Sequence, residues 1–116
     1  MGQIQLERDG PEAATSWVEK VVSNAPDFAP GLNLWAWVHA EQGLKLVQAE
    51  QYARAALRHQ PRVGDFWDTL GWTLMLQDKH KDAMAILDRA VRLSSNDGAV
   101  LSRRDRCRAL LEGALE

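Results

Sequence analysis

The sequence is poor in cysteine, in proline and in every aromatic residue except one. A single thiol, Cys107, excludes an intramolecular disulfide and any zinc site built from several cysteines. One tyrosine and two phenylalanines stand beside five tryptophans, so indole supplies most of the aromatic surface. Four prolines leave long stretches free to form helix. No apolar run approaches the ~20 residues of a membrane span. The stretch Met1–Asp9 holds no apolar core of a secretion signal, and Leu6 stands where N-myristoylation wants Ser or Thr. An excess of one charge is also missing. Fourteen Lys and Arg against sixteen Asp and Glu leave −2, which builds no field to gather nucleic acid or an anionic bilayer. Neither nucleic acid nor direct membrane contact is therefore expected, and the chain as written is expected in the cytoplasm. At 46% apolar and 26% charged, its 116 residues suit one folded domain.

What is present is a repeat. Ala49, Tyr52, Ala56, Leu57 and Arg58 recur 34 residues on as Ala83, Ile86, Ala90, Val91 and Arg92. Trp35-Ala36-Trp37 lies over Leu70-Gly71-Trp72 at an offset of 35, so the first unit carries one extra residue, within Gly43-Leu44-Lys45-Leu46. A third copy precedes it, with Ala14, Trp17, Val18, Val21 and Pro26 lying 35 before Ala49, Tyr52, Ala53, Ala56 and Pro61. Such a period signals stacked helical hairpins, because one hairpin cannot bury its apolar face alone. Spacings of three and four within each segment agree, and no alternating β-branched run suggests a strand. Pro26 and Pro61 fall just past helix ends, and Pro30 sits near a start. The pattern predicts helices near 11–24, 30–42, 47–59, 64–77, 81–93 and 98–113. The expected fold is all-α, a solenoid of five to six stacked antiparallel helices in one domain. Its parts are a partial repeat (1–28), two full repeats (29–63 and 64–97) and a capping helix (98–116).

Trp67, Leu70-Gly71, Leu74, Ala83, Leu87 and Ala90 carry the spacing of a known motif. They resemble the tetratricopeptide repeat, with Leu replacing its Tyr and Phe and Ser95 its final Pro. The first unit is a looser copy: Leu32, Trp35-Ala36, His39, Ala49, Ala53, Ala56 and Pro61. Small residues at Gly71, Ala36, Ala49 and Ala83 let the paired axes approach, and large ones fill the hollows between hairpins. Residues 30–95, with their longer repeat followed by Asp68-Thr69-Leu70-Gly71-Trp72, also resemble paired repeats of bacterial envelope proteins. Some of those are outer-membrane lipoproteins serving as assembly or protease adaptors. That resemblance implies a periplasmic or outer-membrane-associated setting if the chain is a fragment of such a protein. Residues 2–8 fit only the last turns of a helix whose start is missing, which suggests an excised segment or an end that pairs with something else. At the other end Val100, Cys107, Leu111 and Ala114 form one apolar stripe, the look of a cap.

Catalytic and cofactor chemistry find no support. His39, His59 and His80 are scattered, and none has a His or Cys three or four residues on, so no metal is expected. His39 falls at a core-type position, and Cys107 reads as a buried structural thiol. Asp65 and Asp68 share a helix face, yet an open groove does not supply the pocket that splits two carboxyl pKa values. Asp65 suits the helix N-terminus instead. No phosphate-binding glycine loop and no nucleophile elbow is present, so no cofactor and no enzymatic activity are expected. Arg103, Arg104, Arg106 and Arg108 are the one local argument for RNA, and they read as a solvated cap face.

The tetratricopeptide resemblance implies a concave wall formed by five positions of each first helix. These correspond to Asp65, Asp68, Trp72, Met75 and Leu76 in the second unit and to Pro30, Asn33, Trp37, Ala40 and Glu41 in the first. In the cap helix they fall on Ala99, Ser102, Arg106, Ala109 and Leu110. The family's clamp for acidic C-terminal tails needs Lys, Asn and Arg on this wall, and only Asn33 and Arg106 could serve. Trp37 and Trp72 instead stand one above the other, beside carboxylates. The expected function is a protein-binding adaptor or scaffold whose groove takes a peptide or helix, an apolar segment carrying a basic residue. The alternative is a self-associating structural repeat segment of a larger assembly, forming homo-oligomers through its open ends, and a remote alternative is an RNA-binding helical repeat. Trp17, Trp35 and Trp67 are expected to pack between hairpins.

Overall fold

The computed structural model describes residues 11–94 and 97–115. Six helices follow in order: α1 (Pro11–Asn24), α2 (Ala29–Glu41), α3 (Leu46–His59), α4 (Gly64–Leu76), α5 (His80–Ser94) and α6 (Gly98–Leu115). Each end lies within two residues of the position read from the sequence, and no strand occurs among the described residues. The all-α solenoid is what the structure shows. The expected helix remnant at residues 2–8 and the motif position Ser95 lie outside the described residues.

Local chemistry accounts for the punctuation. Pro30 sits in the first turn of α2, where its missing N–H costs nothing. Arg58 places a cationic side chain at the C-terminal end of α3, where the helix dipole favours it. Gln60 then leaves helical geometry, and Pro61 follows. The α2–α3 turn spans residues 42–45 and the α4–α5 turn residues 77–79, so the extra residue of the first unit lies in its turn. The longer turn needs two left-handed residues, Gly43 (φ 68°) and Lys45 (φ 49°), whereas the shorter needs one, Asp78 (φ 62°).

Packing sorts the helices into two layers. Sequential helices pair, and in addition α2 packs on α4 and α4 on α6, while α3 and α5 do not pack on each other. The inner helices α2 and α4 therefore bury residues on several sides. The outer ones bury a single stripe: Ala49, Ala53, Ala56 and Leu57 on α3, and Ala83, Leu87 and Ala90 on α5. The result is elongated, 43 × 27 × 25 Å.

The close approach inside each hairpin is built in two ways. In the second unit Gly71 faces Leu87, and a Cβ at Gly71 would lie 2.5 Å from Leu87 Cγ. In the first unit the equivalent residues are Ala36 and Ala53, both fully buried. Volume removed from one helix is thus restored on its partner, which keeps the interior close-packed.

The last helix, α6, carries most of the expected apolar stripe; the side chain of its fourth member, Ala114, lies outside the described residues. Val100 and Cys107 are buried and Leu111 is half-buried, on one face, while the Cys107 thiol donates to the His80 carbonyl at 3.4 Å. One expectation fails. Trp17 is 40% exposed, and it is its neighbour Val18 that enters the core. Among the described residues α1 packs against α2 alone, so only one of its faces is covered.

Candidate docking groove

The inner layer α2–α4–α6 presents one side chain per helix at a constant spacing of 35 residues: Asn33, Asp68 and Arg103. One turn further along α2 and α4 come Trp37 and Trp72. Their ring centroids are 6.4 Å apart with a 36° interplanar angle, inside the range for attractive aromatic pairs. The Arg103 guanidinium lies over both, 5.0 Å from Trp37 and 5.2 Å from Trp72. Asp68 holds that guanidinium in a two-point grip, accepting from Nε at 2.7 Å and from Nη2 at 3.2 Å. Three helices thereby converge on one aromatic–cation–carboxylate cluster.

Burial pushes the Asp68 carboxyl above the ordinary aspartate range. The hydrogen bonds and charge of Arg103 pull it back without cancelling that effect, and Asp65 and Asp97 add to the upward push. Both indoles are only half-buried. The Trp72 Nε1 donor and the Asn33 Oδ1 acceptor are covered yet have no partner.

The expected wall residues separate into three sets. Asn33, Trp37, Asp68 and Trp72 form or adjoin the cluster. Glu41 and Asp65 are exposed and Leu76 half-buried, so they remain accessible along the same helices. Met75 is corrected, and Arg106 stands apart from the cluster. Met75 is 5% exposed and belongs to the core, because α4 is covered on more sides than an outer helix. Arg106 is exposed and makes no hydrogen bond or ion pair among the described residues; Arg103 reaches the tryptophans in its place. The reason is register. Gly98 follows Gly64 by 34 residues and sets the start of α6, but the residue facing Asp68 follows it by 35. The spacing from Asn33 to Asp68, extended once more, was the signal that could have found Arg103.

Asp68 is also less available than expected, since its carboxylate is committed to Arg103. The remaining arginines of the cap are largely matched. Arg104 lies 3.2 Å from Asp105 and 3.8 Å from Asp88, and Arg108 lies 3.9 Å from Asp105.

Groups considered for chemistry are dispersed. His39 is 2% exposed and stacks on Trp35 at 3.7 Å between centroids. Its Nδ1 is 3.0 Å from the Trp35 carbonyl and so donates to it, while Nε2 lies 3.6 Å from Glu19 Oε1. Glu19 also accepts from Trp35 Nε1 at 3.1 Å, which ties α1 to α2. Burial raises the Cys107 thiol pKa, with Asp88 adding to the effect, so thiolate is disfavoured there. No group of three or more His, Cys, Asp or Glu able to hold a metal occurs among the described residues.

No family model and no curated protein sequence matches the chain. Solved structures do match in fold. The chain is similar to the Sgt2 TPR domain from Aspergillus fumigatus, at 19% identity and a TM-score of 0.84 over 97% of this chain and 76% of that one. It is also similar to the first TPR domain of human RPAP3, at 14% identity and a TM-score of 0.83 over 97% of this chain and 87% of that one. The architecture of this chain is thus that of a tetratricopeptide-repeat domain.

Proposed function

We propose that the protein is a non-catalytic interaction module that docks a peptide or helix of a protein partner on the inner layer of its solenoid. The observation that carries this reading is the Trp37–Trp72 pair. Two half-buried indoles from successive hairpins stand 6.4 Å apart, braced by Arg103, and so present apolar area at little ordering cost. Because Asp68 is engaged by Arg103, a basic residue on the partner would find Asp65 and Glu41. The tetratricopeptide architecture, which the two similar domains share, is compatible with this use, although fold alone does not assign function.

The test is affinity capture followed by calorimetry on the captured protein. Trp37→Ala with Trp72→Ala should weaken binding at least ~100-fold, the loss of two central aromatic anchors, while helical circular dichroism is retained. Unchanged affinity rejects the groove.

A second reading, self-association through the repeat ends, is favoured by one observation. Of the large apolar side chains exposed among the described residues, Trp17, Phe28, Leu44 and Val47 belong to the first half of the chain and only Leu110 to the second. A mass by light scattering that stays monomeric at high concentration rejects it. The resemblance of residues 30–95 to envelope adaptor repeats supports a periplasmic or outer-membrane setting. Recovery of the native protein from the cytosol alone would reject that setting.

A further inference from the structure

A second recessed surface lies on the outer layer. Because α3 and α5 do not pack on each other, the helices leave a cleft of about 450 Å³ between them. Its apolar interior is made by Leu57 of α3, Leu70 of α4 and Ile86 of α5, and Trp67 forms a wall. That volume is in the range that accommodates ligands or large side chains. Trp67 is fixed from two directions, with Nε1 donating to the Pro61 carbonyl at 2.8 Å and the Arg89 guanidinium 5.5 Å from its ring centroid. These two contacts orient its ring as a wall of the cleft.

The charge around this apolar floor has one sign. Arg54 and Arg58, one helical turn apart on α3, line the cleft, and among the described residues no carboxylate lines it. Arg54 is 2.9 Å from Glu50, whose carboxylate also accepts from Gln77 and Lys79, so that acid is satisfied away from the cleft. Arg58 and Arg89 are exposed and have no hydrogen-bond or ion-pair acceptor among the described residues. An apolar floor flanked by unmatched guanidinium groups is complementary to an apolar side chain with carboxylates beside it.

We propose that the α3–α5 cleft is a second docking site, for a short acidic protein segment that inserts one large apolar side chain against Trp67 and Ile86 while its carboxylates engage Arg58 and Arg89. The site uses Trp67 and Leu70 of α4, not the Asp68 and Trp72 of the inner layer. It stands or falls independently of the groove.

The probe is acetyl-Gly-Glu-Glu-Leu-Glu-Glu-Gly-amide, titrated into the full chain and followed by proton–nitrogen correlation spectra. The expected result is movement of the Trp67 indole and the Arg58 and Arg89 Nε signals, with Trp37 and Trp72 still. Replacing the leucine of the probe by serine should weaken binding about ten-fold, the loss of one buried apolar side chain. Arg58→Glu together with Arg89→Glu should weaken it at least ~ten-fold, as should raising the salt. Both arginines are exposed, so the double variant should retain the wild-type circular dichroism, and Arg58→Gln provides a milder check. The proposal is overturned by shifts centred on Trp37 and Trp72, by equal binding of the peptide with lysine in place of glutamate, or by no shift at millimolar peptide.

Discussion

Arg103 Nε lies 2.7 Å from Asp68 Oδ1, and this ion pair ties the last helix α6 to the inner helix α4. The two side chains are only 18% and 11% exposed, so each charge is largely shielded from water. Arg103→Ala or Asp68→Ala alone should destabilise the fold by about 3 kcal/mol, because each leaves a buried, unmatched charge. Joint replacement by Arg103→Met and Asp68→Leu should come within about 1 kcal/mol of the parent. Urea denaturation of the four proteins measures this; equal losses in single and double variants would contradict it.

Gly71→Ala tests the close approach of α4 and α5. Alanine gains about 1 kcal/mol of helix propensity, but its Cβ would collide with Leu87, which is fully buried and has no space to yield. A net destabilisation of about 1–2 kcal/mol is expected from thermal melts. Adding Leu87→Ala recreates the Ala36/Ala53 arrangement of the first unit. That double variant should lose less than the sum of the two single changes.

Acid stability should depend on Glu50. Burial tends to raise its pKa, but hydrogen bonds from Gln77, Arg54 and Lys79 and the charge of Arg54 prevail and hold it below the ordinary value of 4.5. A carboxyl depressed in the folded state contributes stability above its unfolded pKa and loses it as pH falls through the folded one. The stability difference between the parent and Glu50→Gln should therefore be largest near neutral pH, at about 1 kcal/mol, and should close below pH 4.5. Asp68 has the opposite sign. Its raised pKa favours the fold at low pH, and this contribution disappears as pH rises through the folded value. A pH series of chemical denaturations on the Glu50 variant separates the two.

Cys107 reports on the cap. Its thiol is fully buried and its pKa is raised, so disulfide reagents can reach it only when α6 opens. Labelling should be at least ~100-fold slower than for the unfolded chain, and Asp68→Ala should accelerate it by loosening α6 from α4. Labelling at the unfolded rate in the parent would show that the cap is not closed in solution.

The repeat period, the six helices, the longer first turn, the core position of His39 and the burial of Cys107 were all legible in the sequence. Each depends on contacts within a few residues or on a periodic demand that every hairpin repeats. Helix ends follow proline, capping and dipole rules that act within one turn, which is why their positions were recovered to within two residues. The Trp37–Trp72 pairing was legible for the same reason, since equal spacing in successive units places equivalent residues side by side.

What the tertiary structure alone decided involves relations between hairpins. Whether Arg103 or Arg106 faces the tryptophans depends on the rotation of α6 about its own axis, and one residue of register changes that by about 100°. Met75 is core and Trp17 is not, because burial is set by how many helices surround an element. The periodic pattern cannot count those neighbours. The α3–α5 cleft exists because the two outer helices do not pack on each other. Of the features noted at the outset, the single thiol is packed out of reach, and the five indoles have divided. Trp35 is core, Trp17 is exposed, Trp67 walls the outer cleft, and Trp37 and Trp72 pair between the inner helices. Composition sets the number of indoles, and only packing assigns each one its place.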